Sequence, residues 1–170
     1  MRVSFSKRIA IDAPPEAAWR ALAHEFAAIG VWSSLISHSE GLSAPEPGDA
    51  ALGGRVCAVP GFGETNERLI YVDERAMRLG YSGTMRGAPF VTEAVNHWSV
   101  LPGGANASIV ATRGYVEMAF VPWALLAPLV YVGIRWLGQR TAEDLKYYVE
   151  HGAPHPRKLK SSPRRRPTPR

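Results

Sequence analysis

Apolar and polar residues alternate along the first eleven positions. Val3, Phe5, Lys7, Ile9 and Ile11 share one parity, and Arg2, Ser4, Ser6 and Arg8 the other. A period of two predicts a half-buried strand. Asp12-Ala-Pro-Pro-Glu16 then reads as a helix start, because proline fits the first turn and an acidic residue sits well at the positive end of the helix dipole. Trp19, Leu22, Ala23 and Phe26 follow at i, i+3, i+4 and i+7, one helical face. Gly30 is expected to end this helix, with a short second one over Val31–Leu35.

The middle of the chain returns to strand patterning. Strands are predicted near 36–42, 54–59, 64–73, 76–84, 90–101 and 106–118. Turn chemistry separates them at Pro60-Gly61-Phe62-Gly63, at Asp73-Glu74-Arg75, from Gly83 to Pro89, and at Pro102-Gly103-Gly104. Consecutive strands with short turns make an antiparallel meander. The chain has neither a βαβ alternation nor a glycine-rich phosphate loop, so no cofactor is implied.

The last predicted element is a long helix. Ala119 to Ile134 is a 16-residue run without a charge, shorter than the roughly 20 residues a membrane span needs, and Pro122 and Pro128 interrupt it. Beyond it Val130, Ile134, Leu137, Thr141, Leu145 and Tyr148 line one face, with Arg140, Glu143, Asp144 and Lys146 elsewhere. A helix laid across a sheet fits this pattern. The unusually apolar first half needs a cover: a cavity ligand, a second copy in a homodimer, or a membrane surface.

Charge divides the chain. Seven of the 20 Lys and Arg lie in residues 153–170, where no acid occurs, so residues 1–152 carry thirteen bases against 15 acids and a net charge of −2. The basic balance therefore belongs to the end of the chain, and the body offers no face for specific nucleic-acid binding. Rich in Pro, Ser, Arg and Lys, residues 153–170 are predicted to be a disordered basic tail after a domain spanning 1–152. Such a tail is a peripheral membrane tether, a loose RNA-binding segment or a solvated solubility segment. Cys57 stands alone, which excludes a disulfide scaffold and fits a reducing cytoplasm, and the first residues lack the apolar block of a signal peptide. His24 and His38 have no partner at ligand spacing, and His151 and His155, four apart, are separated by Gly152-Ala153-Pro154 and so share no helical face; no metal site is expected.

Four stretches carry a resemblance. They are Ile11-Asp12-Ala-Pro-Pro-Glu-Ala-Ala-Trp19, Phe26-Ala-Ala-Ile-Gly30-Val-Trp32, Glu67-Arg68-Leu69 with Asp73-Glu74 and Leu79-Gly80-Tyr81-Ser82, and Thr141-Ala-Glu-Asp-Leu145-Lys. In order and spacing, over residues 3 to 150, they resemble the START/Bet v 1-like superfamily (SRPBCC) and within it the polyketide cyclase/dehydrase-like family. The resemblance implies an α+β helix-grip fold: a curved antiparallel β-sheet wrapped around a long C-terminal α-helix, with two short helices after the first strand. It also implies an internal cavity for a hydrophobic small molecule such as a lipid, polyketide or isoprenoid. Three positions depart from the pattern: Ser34 where the family often has proline, Cys57 where it often has an arginine on the strand after Gly54, and Thr112 where an aromatic is common.

The candidate chemistry is sparse. The resemblance puts Glu67, Tyr81 and Asn96 inside the cavity. Alternation sets Glu67, Leu69 and Tyr71 on one face, and groups Asn96 with Trp98. A carboxylate in an apolar cavity is expected to have a raised pKa and to serve as an acid, a base or a ligand anchor. For the last strand two phases stay open: periodicity turns Val110, Thr112, Gly114 and Val116 to the apolar side, whereas a receptor-like reading of Arg113-Gly114-Tyr115-Val116 turns Arg113 inward, where it would pair with Glu67 or a ligand acid. Trp32, Leu35, Cys57, Val59, Leu126 and Val130 complete the candidate lining, and Pro60–Gly63 is a gate or a plain hairpin turn. These residues support binding or transport of a hydrophobic molecule, a cyclase or dehydratase using Glu67 with Arg113, or a membrane-peripheral module built from the apolar helix and basic tail.

Overall fold

Strands β1 (Arg2–Ile11), β2 (His38–Leu42), β3 (Gly54–Val59), β4 (Gly63–Asp73), β5 (Arg78–Met85), β6 (Val91–Gly104) and β7 (Ala107–Met118) form one sheet. Its order is β1-β7-β6-β5-β4-β3-β2, with every neighbouring pair antiparallel. The coordinates are a computed structural model and describe residues 1–42, 53–119 and 123–161. From β2 onward each strand pairs with the next in sequence, and from β3 onward the turns between them are short. β1 pairs with β7, which makes β1 one edge of the sheet and β2 the other.

Between β1 and β2 the chain forms α1 (Pro15–Trp19), a π-turn over Arg20–His24, a 3-10 turn over Phe26–Ala28 and α2 (Ile29–Trp32). The first helical stretch ends at Glu25 (φ −102°, ψ 27°), before Gly30. Gly30 is thus no helix breaker. It lies inside α2, donates its N–H to Ser39 Oγ at 2.8 Å, and a Cβ there would come 2.7 Å from that same oxygen. The glycine lets α2 sit directly on β2.

The long helix α3 (Trp123–His151) crosses the sheet over β1. Its inner side holds Ala142, Leu145 and Ile134, all buried. Two apolar clusters result. The larger joins Ile11, Trp19, Trp32, Leu79, Trp98, Val110 and Leu145. The smaller joins Val3, Met118 and Ile134, with Phe5, Val116 and Val130 against it. Each fully buried side chain of this kind contributes roughly 1.5–3 kcal/mol. Among the described residues no helix is long and apolar enough to cross a membrane.

After α3 the chain departs from the disorder expected of residues 153–170. Pro156–Ser161 forms a helix, α4, held against the body. Arg157 donates from Nε to Asp144 Oδ1 (2.6 Å), from Nη1 to Glu143 Oε2 (2.9 Å) and from Nη2 to the Arg140 carbonyl (3.2 Å). Lys158 Nζ reaches the Ile36 carbonyl. The reason lies on α3. Asp144 does not sit on a solvated side of that helix; it is 0 % exposed, and Oδ2 takes two bonds from Ser34, from its N–H and its hydroxyl, at 2.7 Å each. A buried carboxylate demands a cation, and Arg157 supplies it. Residues 162–170 lie outside the described residues.

Candidate functional site

Cross-strand register decides which side chains share the concave face that α1, α2 and α3 cover. Directly opposed residues stand on the same side of a sheet. One inner row runs Arg55, Glu67, Gly83, Ala94 and Val116 across β3 to β7. The next runs Leu69, Tyr81, Asn96, Gly114 and Phe5. Small residues at Gly83, Ala94 and Gly114 leave space on this face. A Cβ on Gly114 would meet Asn96 Oδ1 at 2.4 Å and the Phe5 ring at 2.6 Å, so the glycine makes room for both. The hollow that remains holds about 40 Å³ and is lined by Thr65, Glu67, Tyr81, Met85, Ala94 and Asn96 among others.

At its wall stands a charged pair. Arg55 donates from Nε to Glu67 Oε2 at 2.6 Å, and its Nη2 makes an ion-pair contact with the same oxygen at 2.6 Å. The side chains are 4 % and 16 % exposed, so this pair is shielded from solvent. The third donor, Nη1, reaches the Phe26 carbonyl at 2.6 Å, and the guanidinium lies 3.9 Å from the centre of the Phe26 ring and 5.1 Å from that of Tyr81. Burial works against the Arg55 charge, but Glu67 outweighs it and holds the guanidinium protonated more firmly than usual. Only Oε2 of Glu67 is engaged; Oε1 has no bond to any described residue.

The neighbours of the pair are neutral. Burial, and then the negative charge of Glu67, push the Tyr81 hydroxyl well above its usual range. The same two causes push the Cys57 thiol up to about 11. The Thr65 hydroxyl is buried without a hydrogen-bond partner among the described residues. The hollow thus offers one free carboxylate oxygen, an amide at Asn96 and hydroxyls at Thr65 and Tyr81. Apolar packing lies behind them, including the edge-on contact of Phe26 with Tyr81 at 5.4 Å.

Of the candidates from sequence, Glu67, Tyr81 and Asn96 come together at the hollow. Cys57 is fully buried, Trp32 and Trp98 are core residues, and Leu35, Val59 and Leu69 pack against that core. Trp32 is stacked on Tyr148 with ring centres 6.4 Å apart. Val130 packs in the smaller cluster beside Val3, Met118 and Ile134, not at the hollow. Leu126 lies in the first turn of α3, and its side chain is outside what the structure describes.

Two candidates face the other way. A register shift between Leu69 and Tyr71 inserts one extra residue into β4, which flips the parity. Tyr71 therefore stands on the outer face, stacked on His97 with its hydroxyl 3.1 Å from Nδ1, and Val72 takes the inner place. Arg113 pairs across strands with His97 and is exposed on that outer face as well. It meets neither Glu67 nor the hollow. The expected partnership exists, but with Arg55. The strand after Gly54 does carry an arginine, two residues before Cys57, and the sequence reading passed over it. Thr65, inside a predicted strand, and Met85, which the prediction put in the turn from Gly83 to Pro89 and β5 takes in, were also missed.

Compared with known proteins, the chain matches over residues 2–150 the sequence model of a family described as polyketide cyclase/dehydrase and lipid transport. Among solved structures it is similar to a START superfamily protein from Mycobacterium smegmatis, at 17% identity and a TM-score of 0.69, over 88% of this chain and 99% of that one. It is also similar to the protein XoxI from Bacillus cereus, at 20% identity and a TM-score of 0.66, over 90% of this chain and 99% of that one. Identities this low speak for a shared helix-grip fold. No curated protein matches the chain.

Proposed function

The chain belongs to the polyketide cyclase/dehydrase and lipid transport family, and from that premise we propose that it binds a hydrophobic small molecule carrying one polar end on the concave face of its sheet. The observation behind this reading is the Arg55–Glu67 pair. On this largely apolar and aromatic face the Arg55–Glu67 pair is shielded from solvent, and it leaves Glu67 Oε1 open. A ligand hydroxyl or enol would donate to this oxygen, with the Asn96 amide beside it, while its apolar body lies against Tyr81, Met85 and Ala94. Lipids, polyketides and isoprenoids with a terminal hydroxyl meet this description.

The enzyme reading set Glu67 with Arg113, and Arg113 faces away from the hollow; Arg55, which stands beside Glu67 instead, is engaged by Glu67 Oε2 and the Phe26 carbonyl. Binding is therefore the better supported role. The hollow of about 40 Å³ has room for about one water. Ligand entry therefore requires its walls to part, toward the roughly 300 Å³ at which small-molecule sites begin.

Native mass spectrometry of the full chain, followed by solvent extraction, tests the reading. One stoichiometric hydrophobic compound with a hydroxyl is expected. Titration with a fluorescent fatty alcohol then compares the wild type with Met85→Trp, which fills the hollow without touching the ion pair. Loss of binding in Met85→Trp is expected; unchanged binding overturns the site.

A further inference from the structure

The outer side of α3 is apolar where a helix on a sheet is ordinarily polar. Leu129, Val132 and Trp136, at i, i+3 and i+7, form one stripe and are 69, 62 and 54 % exposed. The sequence around the stripe carries no charge from Ala119 to Ile134, and Arg135 is the first.

Towards the C-terminal end the stripe runs into a cleft of about 300 Å³ between α3 and the edge strand β1. Phe5 and Trp136 contribute apolar walls, and Lys7, Arg135, Arg140 and Glu143 the charged ones. The charges are unbalanced. Three are cations, and the one acid is already engaged: Glu143 receives Arg157 Nη1 and Gln139 Nε2, each at 2.9 Å. Arg140 lies 5.6 Å from the centre of the Trp136 ring, and Arg135 lies 5.5 Å from that of Tyr131. Cations set beside exposed aromatic rings, next to an apolar stripe, are the composition of a surface that lies in a lipid interface. A second copy of the chain on this face would bring the same three cations against their own kind, which is unfavourable. An anionic surface complements them.

We propose that this face docks the protein on an anionic lipid bilayer. Leu129, Val132 and Trp136 enter the boundary between headgroups and acyl chains, and Lys7, Arg135 and Arg140 receive lipid phosphates in the cleft. The docking is independent of the hollow on the concave face: neither Glu67 nor Met85 takes part in it.

Flotation of the full chain with vesicles tests it, using phosphatidylcholine alone and phosphatidylcholine mixed with phosphatidylglycerol. The wild type floats with the anionic vesicles, stays down with the neutral ones, and loses its binding as salt is raised. Lys7→Ala with Arg135→Ala weakens partitioning about 25-fold, at roughly fivefold for each cation. Leu129→Ser with Trp136→Ser abolishes flotation. Every variant is checked for an unchanged Tm, and Arg135→Glu, at an exposed position, repeats the charge test alone. Failure of the wild type to float, equal flotation on neutral vesicles, or variants that float like the wild type would each overturn the proposal. So would a solution dimer that Leu129→Asp dissociates, because a second copy would then cover the stripe.

Discussion

Replacing Glu67 by Gln keeps the shape of the side chain and one accepting oxygen but removes its charge. Arg55 is then left without a counter-charge at a position where its side chain is 4 % exposed. Removing one partner of a buried ion pair costs about 3–5 kcal/mol. Three contacts soften the loss here: the glutamine oxygen still accepts, the Phe26 carbonyl still takes Nη1, and the Phe26 and Tyr81 rings still face the guanidinium. The lower end, about 3 kcal/mol, is therefore expected. For a chain of this size it corresponds to a fall in Tm of roughly 6–12 °C. The double variant Arg55→Met with Glu67→Leu removes both charges and both desolvation costs. It is expected within about 1 kcal/mol of the wild type, or more stable. Urea unfolding with unchanged slope, alongside thermal melts, measures all three proteins. A Glu67→Gln loss under about 1 kcal/mol, the worth of an exposed pair, would refute the argument that this pair is shielded. The double variant also separates stability from function, since it folds yet lacks the proposed ligand anchor, and its binding of the fatty alcohol is expected to be lost.

Two further predictions concern groups outside the ion pair. Burial, then Glu67, raises the Cys57 thiol from its ordinary 9.0 to about 11, so the folded chain holds that proton more tightly than the unfolded one. The resulting stability is complete below the unfolded value and is lost as pH rises from 9.0 to about 11. It is on the order of 3 kcal/mol. Urea midpoints should fall more steeply across that window in the wild type than in Cys57→Ala, and at neutral pH a thiol reagent should label Cys57 only as the protein unfolds; rapid labelling of the native chain would contradict its burial. At the other end of the molecule, Arg157→Ala leaves the fully buried Asp144 short of its cation. Because Arg157 is 20 % exposed, the cost is set below that of a fully buried pair, at about 2 kcal/mol. A chain ending after Gly152 should lose at least as much. A wild-type Tm for the shorter chain would remove α4 from the folded unit.

The limits of the sequence reading follow from what alternation encodes. A period of two reports which residues of one strand share a face; that Glu67, Tyr81 and Asn96 turn inward together is what the family resemblance implied, not what alternation encodes. Alternation fails wherever the count slips. The single extra residue between Leu69 and Tyr71 leaves the pattern looking regular while turning Tyr71 to the outer face. For β7, periodicity alone had Thr112 and Gly114 inward, in agreement with the register; the receptor-like reading of Arg113 did not survive it. Arg55 was legible and was missed. The hairpin at Pro60–Gly63 pairs Val59 with Gly63, and counting back from it opposes Arg55 to Glu67. The tail is a different failure. Composition correctly reports that residues 153–161 have little apolar area to bury, but α4 is held by polar bonds to Asp144 and by Lys158 at the Ile36 carbonyl, a debt incurred elsewhere in the fold. Facing and register are therefore local properties that a sequence carries, whereas the need of a buried charge for a partner is a property of the packed molecule. The same distinction bears on the hollow. Gly83, Ala94 and Gly114 announce space on the inner face, but how much of it stays open depends on the side chains around it, such as Asn96, whose Oδ1 occupies the place a Cβ on Gly114 would take.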